Sequence, residues 1–220
     1  GRRPQREREG PLSILHFGNR ARVKGCLELV RAAAALPTGS VKLIFCGREV
    51  ESGLDAELRR AAGRMELELH GAYRPEELVR FAGMADVAAF PSQAAEGYGL
   101  VVDEAIALGL PTLVSDAGAL SERLAEAGHG GRFPGRVLPT GDIGAWTECL
   151  RGPVADEGLL QDARAVLPAS LPTAPHTARQ PARRYTAPVV VRERRAPRRL
   201  ALPPARTARP PRRAPRPPAR

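Results

Sequence analysis

The sequence is poor in the features that mark disulfide-stapled, metal-binding and membrane-spanning proteins. Its 220 residues include three cysteines, Cys26, Cys46 and Cys149, whose spacing fits neither a disulfide framework nor a metal-ligand motif. No apolar run approaches the roughly 18 residues that cross a membrane. Residues 1–10 lack the apolar segment of a secretory signal. We therefore expect a cytoplasmic protein with reduced thiols, and leave open a peripheral membrane location for a longer form.

Charge and proline are concentrated at one end of the chain. The formal net charge is +10, yet residues 168–220 contain fourteen arginines, one glutamate and thirteen of the 22 prolines, which leaves −3 for residues 1–167. A segment of this composition cannot bury enough apolar surface to offset its ordering entropy. We predict a globular domain over residues 11–167, a disordered lead-in over 1–10 and a disordered tail over 168–220. The start at Gly1, almost directly before a strand, indicates a piece of a longer protein.

The arginine-rich tail offers one functional alternative. Its guanidinium groups could bind phosphate backbones without sequence preference and with strong salt dependence. However, Tyr185 is its one aromatic residue, and no folded reading element accompanies it. Nucleic acid is therefore not the partner that we expect, although binding through the tail stays an alternative.

Short apolar runs alternate with segments of helical periodicity through the first 167 residues. This alternation predicts an α/β fold with a doubly wound parallel sheet, of the Rossmann-like kind. The expected strands are Leu12–Phe17, Val41–Cys46, Leu67–His70, Asp86–Phe90 and Thr112–Ser115. The expected helices are about Cys26–Leu36, Leu54–Ala62, one opening at Pro75, one before Gly109, Leu120–Ala127 and two C-terminal helices within 141–150 and 156–166.

Unusual loops follow several of the predicted strands. Arg20 and Lys24 follow the first strand, Gly71 and Tyr73 the third, and Glu96 the fourth. Ligands of open α/β sheets bind at the carboxyl ends of the strands. We expect these residues to share one edge of the sheet.

The stretch EGYGLVVDEAIALGLP, residues 96–111, combines two carboxylates with a helix start. Glu96 lies in a glycine-containing loop, and Glu104 follows eight residues later inside an apolar helical run. Amides at a helix start point toward a common space, with the positive end of the helix dipole behind them. Carboxylates suit hydroxyl groups and amides suit phosphate, so the stretch predicts a site for a phosphorylated, polyhydroxylated ligand.

The same stretch resembles the E-x7-E signature of retaining glycosyltransferases with the GT-B fold, family 4 (glycosyl transferases group 1). Three further segments match that family in order: HFGNRARVKG, LHGAY and SDAGALSE. The resemblance covers Leu12–Val166 and corresponds to the C-terminal half of such an enzyme. It implies a Rossmann-like C-terminal domain of the GT-B fold that binds a nucleotide-diphosphate sugar. An N-terminal domain of the full-length enzyme would bind the acceptor, whose identity is not indicated.

The resemblance also implies individual roles. Glu96 would contact hydroxyls of the donor sugar and Lys24 the diphosphate, and these two are the candidate catalytic residues. Glu104 would accept hydrogen bonds from the ribose. The loop amides would face the sugar and diphosphate, and the glycine-flanked loops after the first and third strands would contribute further donor-binding residues: Gly97, Tyr98, Gly99, Leu100, Gly18, Gly71 and Tyr73.

One position departs from the family pattern. Members carry an arginine directly after the first glycine, where this chain has Asn19. Arg20, one residue later, is the candidate substitute as a donor-binding cation. No Asp-x-Asp pair is present to hold a metal, so we expect neither a metal nor a cofactor besides the donor substrate.

The expected function is thus hexosyl transfer by an enzyme of which this chain is the donor-binding part. Alone, the chain should transfer little or no sugar. A GT-B-like nucleotide-sugar epimerase is the alternative enzyme. A dinucleotide-dependent dehydrogenase is not expected, because GNRARVKG does not supply Gly-x-Gly-x-x-Gly.

Overall fold

The computed structural model describes residues 10–127 and 135–155, and these form a six-stranded parallel sheet between two layers of helices. The strands, β1 to β6, are Leu12–Phe17, Val41–Cys46, Glu66–His70, Val87–Phe90, Thr112–Ser115 and Gly135–Leu138. The helices, α1 to α6, are Cys26–Ala34, Leu54–Ala62, Pro75–Gly83, Leu100–Ala107, Ala119–Glu126 and Ile143–Ala155. A 3-10 turn, Arg22–Lys24, precedes α1.

Side chains of the central strands alternate between two apolar cores. Ile14 and Phe45 point to the face covered by α1, α2 and α6, where Trp146 and Leu150 are buried. Leu15 and Ile44 point to the opposite face, covered by α3, α4 and α5. Because both faces are covered, the strands read as continuous apolar runs, as parallel strands in such sheets do. The predicted doubly wound α/β fold is confirmed.

The strand order is β3-β2-β1-β4-β5-β6. The chain builds outward from β1 in one direction through β3, then returns to pair β4 with the other side of β1. The order therefore reverses between β1 and β4, and the loops that leave their carboxyl ends diverge to opposite faces. This switch point is where open α/β sheets form their ligand crevices.

Most element bounds agree with the sequence-based expectation to within one or two residues, and β6 is the strand that was not expected. Its four residues GRVL hold two apolar side chains, of which Val137 is exposed. Pairing depends on Gly135, because a Cβ there would lie 1.7 Å from the Thr112 carbonyl oxygen. A strand that exists through close backbone approach leaves little apolar pattern in the sequence.

Parts of the predicted organisation fall outside the described residues. These are the lead-in except for Gly10, the second C-terminal helix predicted within 156–166, and the tail over 168–220. The first C-terminal helix, α6, continues beyond the predicted position 150, through Pro153, to Ala155.

Candidate functional site

The loops after β1 and β4 interlock at the switch point. The Gln93 amide donates to the Val23 carbonyl oxygen at 2.7 Å. Gly25 has φ +71°, and a Cβ there would lie 1.9 Å from the Pro91 carbonyl oxygen. Only glycine fits both the left-handed conformation and the close approach. The two loops are thus held at a fixed distance, with Lys24 directly before the contact.

This contact brings Lys24 and Glu96 together, as the sequence predicted for residues at one edge. Lys24 Nζ lies 2.6 Å from Glu96 Oε1. Ser92, which is buried, donates its hydroxyl to the same carboxylate oxygen at 2.9 Å. The lysine side chain is 38% exposed and the glutamate 23% exposed, so both can reach a ligand above the sheet edge.

The backbone of Glu96 is fixed by the loop before α5. The Ala119 amide donates to the Glu96 carbonyl oxygen at 2.9 Å, and Glu96 and Gly118 form a parallel bridge. A Cβ at Gly118 would lie 2.6 Å from both the nitrogen and the carbonyl oxygen of Glu96. The carboxylate is therefore positioned by glycine-dependent packing as well as by Ser92.

Glu104 is the second carboxylate at this edge. It lies on α4 and is half-buried, and its carboxylate makes no hydrogen bond or ion pair with another residue of 10–127 and 135–155. Burial, and to a smaller extent the charge of Asp103, raises the pKa of the Glu104 carboxyl. The neighbouring Asp103 differs, since it faces the Arg123 guanidinium at 3.6 Å. Glu104 thus retains unused acceptor capacity in a partly dehydrated position.

Tyr73 places the loop after β3 near Glu104. Burial and then the Glu104 charge raise the pKa of the Tyr73 hydroxyl to about 12, and a hydrogen bond with the Gly18 backbone opposes the rise. The Tyr73 ring meets Phe17 edge-on, with centroids 6.5 Å apart. Gly71 accepts a hydrogen bond from the Gly47 amide at 3.0 Å. The loops after β1, β2 and β3 are therefore joined to one another, with Tyr73 on the side of Glu104.

The loop Gly97–Leu100 leads into α4. Gly99 takes φ +69° and stands at the N-cap position, so the first amides of α4 are directed toward the sheet edge. The Tyr98 ring is 42% exposed and lies under the Arg123 guanidinium, whose carbon is 4.8 Å from the ring centroid. Leu100 is also exposed.

Arg20 lies at the same edge but is oriented into the protein. It is 3% exposed. Its Nε and Nη2 donate to the two Asp55 carboxylate oxygens at 2.7 Å each, and Nη1 donates to the carbonyl oxygens of Gly47 and His70 at 2.6 Å each. These bonds occupy four of the five guanidinium donors.

Three residues at the site escaped the sequence-based prediction. Ser92 and Gly118 position Glu96, and Asp55 pairs with Arg20. Asp55 is 35 positions from Arg20 along the chain, and no spacing rule links the two. Ser92 could have been noticed as a hydroxyl directly after a predicted strand, in the same loop as Glu96.

The described residues contain neither a membrane-spanning helix nor a cluster of metal-ligating side chains. No helix within 10–127 and 135–155 is long and apolar enough to span a bilayer. Nor do three His, Cys, Asp or Glu side chains of these residues converge in a way that could hold a metal ion.

The strand order and the two layers of helices define a Rossmann-like domain. Residues 2–163 match the family described as Glycosyl transferases group 1, and the chain belongs to that family. It is 34% identical over 160 residues to D-inositol 3-phosphate glycosyltransferase of Corynebacterium urealyticum, covering 67% of this chain and 36% of the relative. The same enzyme of Mycolicibacterium smegmatis is 33% identical over 128 residues, covering 56% of this chain and 28% of the relative.

Solved structures agree with this assignment. WaaG, a glycosyltransferase of lipopolysaccharide biosynthesis, superposes with a TM-score of 0.60 at 23% identity, over 78% of this chain and 46% of WaaG. Sucrose-phosphate synthase of Thermosynechococcus elongatus gives 0.58 at 25% identity, over 72% and 40%. Anabaena HepE, solved with UDP and glucose, gives 0.56 at 22% identity, over 71% and 43%. The resemblance to a GT-B C-terminal domain is confirmed, and the chain spans less than half the length of these relatives.

Proposed function

We propose that this chain is the donor-binding part of a retaining glycosyltransferase. Its substrate is a nucleotide-diphosphate sugar, held at the carboxyl ends of β1, β3 and β4. An N-terminal domain of the longer protein presents the acceptor. By itself the chain binds the nucleotide and transfers little or no sugar, because the acceptor has no bound position without that domain.

The observation that carries this proposal is the carboxylate of Glu104, which has no hydrogen-bond or ion-pair partner in the described part of the chain. A half-buried carboxylate without a hydrogen-bond donor loses hydration without compensation, which its raised pKa reflects. Two adjacent ribose hydroxyls would supply the missing donors. Asp103, on the same helix turn, already faces Arg123 and needs no ligand. The Glu104 charge acts on the nearby Tyr73 hydroxyl, which supports a ribose position next to a surface that can contact the base.

Lys24 and Glu96 contact the diphosphate and the sugar of the donor, on either side of the bond that breaks. When the bond from the sugar to the diphosphate breaks, negative charge grows on the leaving phosphate. Lys24 and the amides of the Gly97–Leu100 loop stabilise that charge more in the transition state than in the ground state. Glu96 accepts hydrogen bonds from sugar hydroxyls, held by Ser92 on its other side. In the free protein, the lysine and glutamate satisfy each other.

The glycine-containing loops complete the donor site. Gly18 and Gly71 allow close approach at the ends of β1 and β3, where a Cβ would project into open space. Tyr73 lies beside the base, while the Gly97, Tyr98, Gly99 and Leu100 segment faces the diphosphate and sugar. Positive charge at the diphosphate comes from Lys24 and backbone amides, so we propose no resident metal and no cofactor.

Isothermal titration tests the proposal on residues 1–220. UDP, GDP and ADP are titrated in turn, starting with UDP because Anabaena HepE was solved with it. We expect one nucleotide to bind, and Glu104→Gln to weaken it by about 1.5–3 kcal/mol, the loss of a charge-assisted hydrogen bond.

Asp103→Asn is the matched control, because it removes one carboxylate from the same helix without touching the proposed ribose position. Its nucleotide affinity should equal that of the parent. Absence of binding by all three nucleotides, or equal affinities for Glu104→Gln and the parent, would sink the proposal.

A further inference from the structure

Arg20 joins the ends of three strands through one buried side chain. It follows β1, and its guanidinium donates to the carbonyl oxygens of Gly47 and His70, at the ends of β2 and β3. Its backbone also pairs with the loop after β2. The Arg20 amide donates to the Arg48 carbonyl oxygen at 2.7 Å, and the Val50 amide donates to the Arg20 carbonyl oxygen at 3.1 Å. One residue thus fixes three adjacent loops.

Asp55 neutralises this guanidinium. Its two carboxylate oxygens accept parallel hydrogen bonds from Nε and Nη2, the bidentate geometry that arginine provides and lysine does not. Asp55 lies in the first turn of α2, and its own amide donates to Glu49 Oε1 at 2.9 Å. The pair therefore also anchors α2 to the loop after β2.

A buried guanidinium with four of its five donors already paired is a poor candidate for direct contact with a diphosphate. Turning toward a ligand would break the bidentate pair with Asp55 and remove one donor from each of the two carbonyl oxygens, in a partly dehydrated position. Lys24, by contrast, is partly exposed and has a flexible side chain. The sequence alone suggested Arg20 as a second diphosphate ligand, and the observed bonds favour a different role.

We propose that Arg20, paired with Asp55, is a positioning residue that holds the Gly71–Tyr73 loop in place to receive the base and ribose. Lys24 is then the one side-chain cation of the β1 loop that contacts the diphosphate. This inference rests on the proposed function, since it assigns parts of the same nucleotide site. Arg20 acts through the His70 carbonyl, directly before Gly71, and through Gly47, whose amide bonds to Gly71.

Positioning a loop and contacting the diphosphate have different effects on nucleotide affinity, and the difference depends on how many phosphates the nucleotide carries. A direct ligand of the diphosphate contributes more to binding of a nucleoside diphosphate than of the monophosphate. A residue that positions the base and ribose loop contributes equally to both. The ratio of the two affinities therefore separates positioning from phosphate contact, and a general loss of stability does not change that ratio.

The experiment titrates UMP and UDP, or the pair with the preferred base, into the parent, Arg20→Lys, Asp55→Asn and the double variant. Arg20→Lys and Asp55→Asn should each weaken both nucleotides by the same factor, about tenfold, and the double variant should be no weaker than either single one. Lys24→Gln serves as the contrast, since it should weaken UDP more than UMP.

Amide hydrogen exchange provides a readout that needs no nucleotide. The Gly47 amide, bonded to Gly71, should exchange faster in Arg20→Lys and Asp55→Asn than in the parent, while amides in the middle of β1 keep their protection. Should Arg20→Lys fail to fold, Asp55→Asn carries the test, because it keeps the arginine but removes the carboxylate charge that orients its guanidinium toward the two carbonyl oxygens.

Three outcomes would overturn the inference. The first is a selective loss of UDP affinity in Arg20→Lys with none in Asp55→Asn, which would make Arg20 a phosphate ligand. The second is parental binding in both variants, and the third is unchanged Gly47 exchange. If the parent binds no nucleotide, the proposed function fails, while faster Gly47 exchange would still support the structural part of the inference.

Discussion

The ammonium of Lys24 and the carboxylate of Glu96 are 72 positions apart in the chain and 2.6 Å apart in space. Each follows a strand that pairs with the other, β1 with β4, at the point where the strand order reverses. Gly25 against Pro91, and Gly118 against Glu96, set the distance between them. The pair is therefore a product of topology and close glycine packing, and it marks where we propose that the donor is cleaved.

Replacing Lys24 tests its contact with the diphosphate. Lys24→Gln should lower the affinity for a nucleoside diphosphate by about 1.5–3 kcal/mol, because a charge-assisted hydrogen bond is lost. The free energy of unfolding should fall by less than about 1 kcal/mol, since the ion pair with Glu96 is partly exposed and solvent screens it. Titration calorimetry and urea unfolding measure the two effects.

Lys42, the other lysine of the sequence, offers a matched control. It pairs with Glu66 and Glu68 on the strands β2 and β3, away from the proposed diphosphate position. Lys42→Gln should keep the nucleotide affinity of the parent. Equal affinities for the two variants would contradict the role given to Lys24.

A substitution at Gly118 tests whether the backbone position of Glu96 affects binding of the sugar. Gly118→Ala places a methyl group 2.6 Å from the Glu96 backbone, so the loop carrying that carboxylate must shift. The variant should bind a nucleoside diphosphate nearly as well as the parent. It should lose the additional affinity that the sugar provides, roughly tenfold for one hydrogen bond. Competition between the nucleotide sugar and the nucleotide, followed by calorimetry, measures this difference.

Gly63→Ala separates this effect from backbone strain. Gly63 has φ 57° and ψ −108°, close to the 67° and −136° of Gly118, and a Cβ there meets nothing within 4 Å. Both variants should lose stability through conformational strain. Loss of sugar discrimination in both would remove Glu96 from the explanation.

The buried His16 makes the free energy of unfolding depend on pH. Burial lowers its pKa from 6.5 to about 4, despite a 2.8 Å hydrogen bond between Nδ1 and the Ala89 carbonyl oxygen. The charges of Lys24 and Arg20 lower the pKa further, and Glu96 opposes them. Between pH 6.5 and 4 the unfolded chain binds a proton that the folded chain does not. The free energy of unfolding therefore decreases as pH falls through this window.

The comparison variant is His16→Gln, whose amide can also donate to the Ala89 carbonyl. Between pH 7.5 and 5, the parent should lose about 2 kcal/mol more stability than this variant, the contribution of one proton over that interval. Urea unfolding at both pH values measures the difference, and the other titrating groups cancel because both proteins share them. Parallel losses in the two proteins would show that His16 does not titrate as described.

Gly135 tests the unexpected edge strand. A methyl group at this position would meet the Thr112 carbonyl oxygen at 1.7 Å, so Gly135→Ala should separate β6 from β5 and cost about 1–3 kcal/mol. Gly83→Ala, at the end of α3, meets nothing within 4 Å and should change stability by less than about 0.5 kcal/mol. Thermal unfolding compares them. Equal midpoints would mean that the strand tolerates a side chain at Gly135.

The sequence was sufficient for the layers of the fold and for the edge at which the site lies. Continuous apolar runs such as Leu12–Phe17 predict buried parallel strands, and their order with helices predicts the doubly wound sheet. What could not be predicted depends on contacts between distant segments. Asp55 pairs with Arg20, and Gly118 packs on Glu96. No periodicity in the sequence indicates either contact. The orientation of Arg20 could not be predicted either, because the sequence around a basic loop residue does not show whether its side chain faces a ligand or an aspartate inside the protein.

The central claim is that the carboxyl edge of the sheet binds the nucleotide of an activated sugar. Nitrogen-15 chemical-shift mapping of residues 1–220 with the preferred nucleoside diphosphate tests it most directly. The largest amide shifts should fall on Gly18, Gly71 and the Gly97–Leu100 loop. Amides at the opposite edge, such as Gly39 and Gly63, should stay in place. Shifts centred on that opposite edge, or none at saturating nucleotide, would contradict the account.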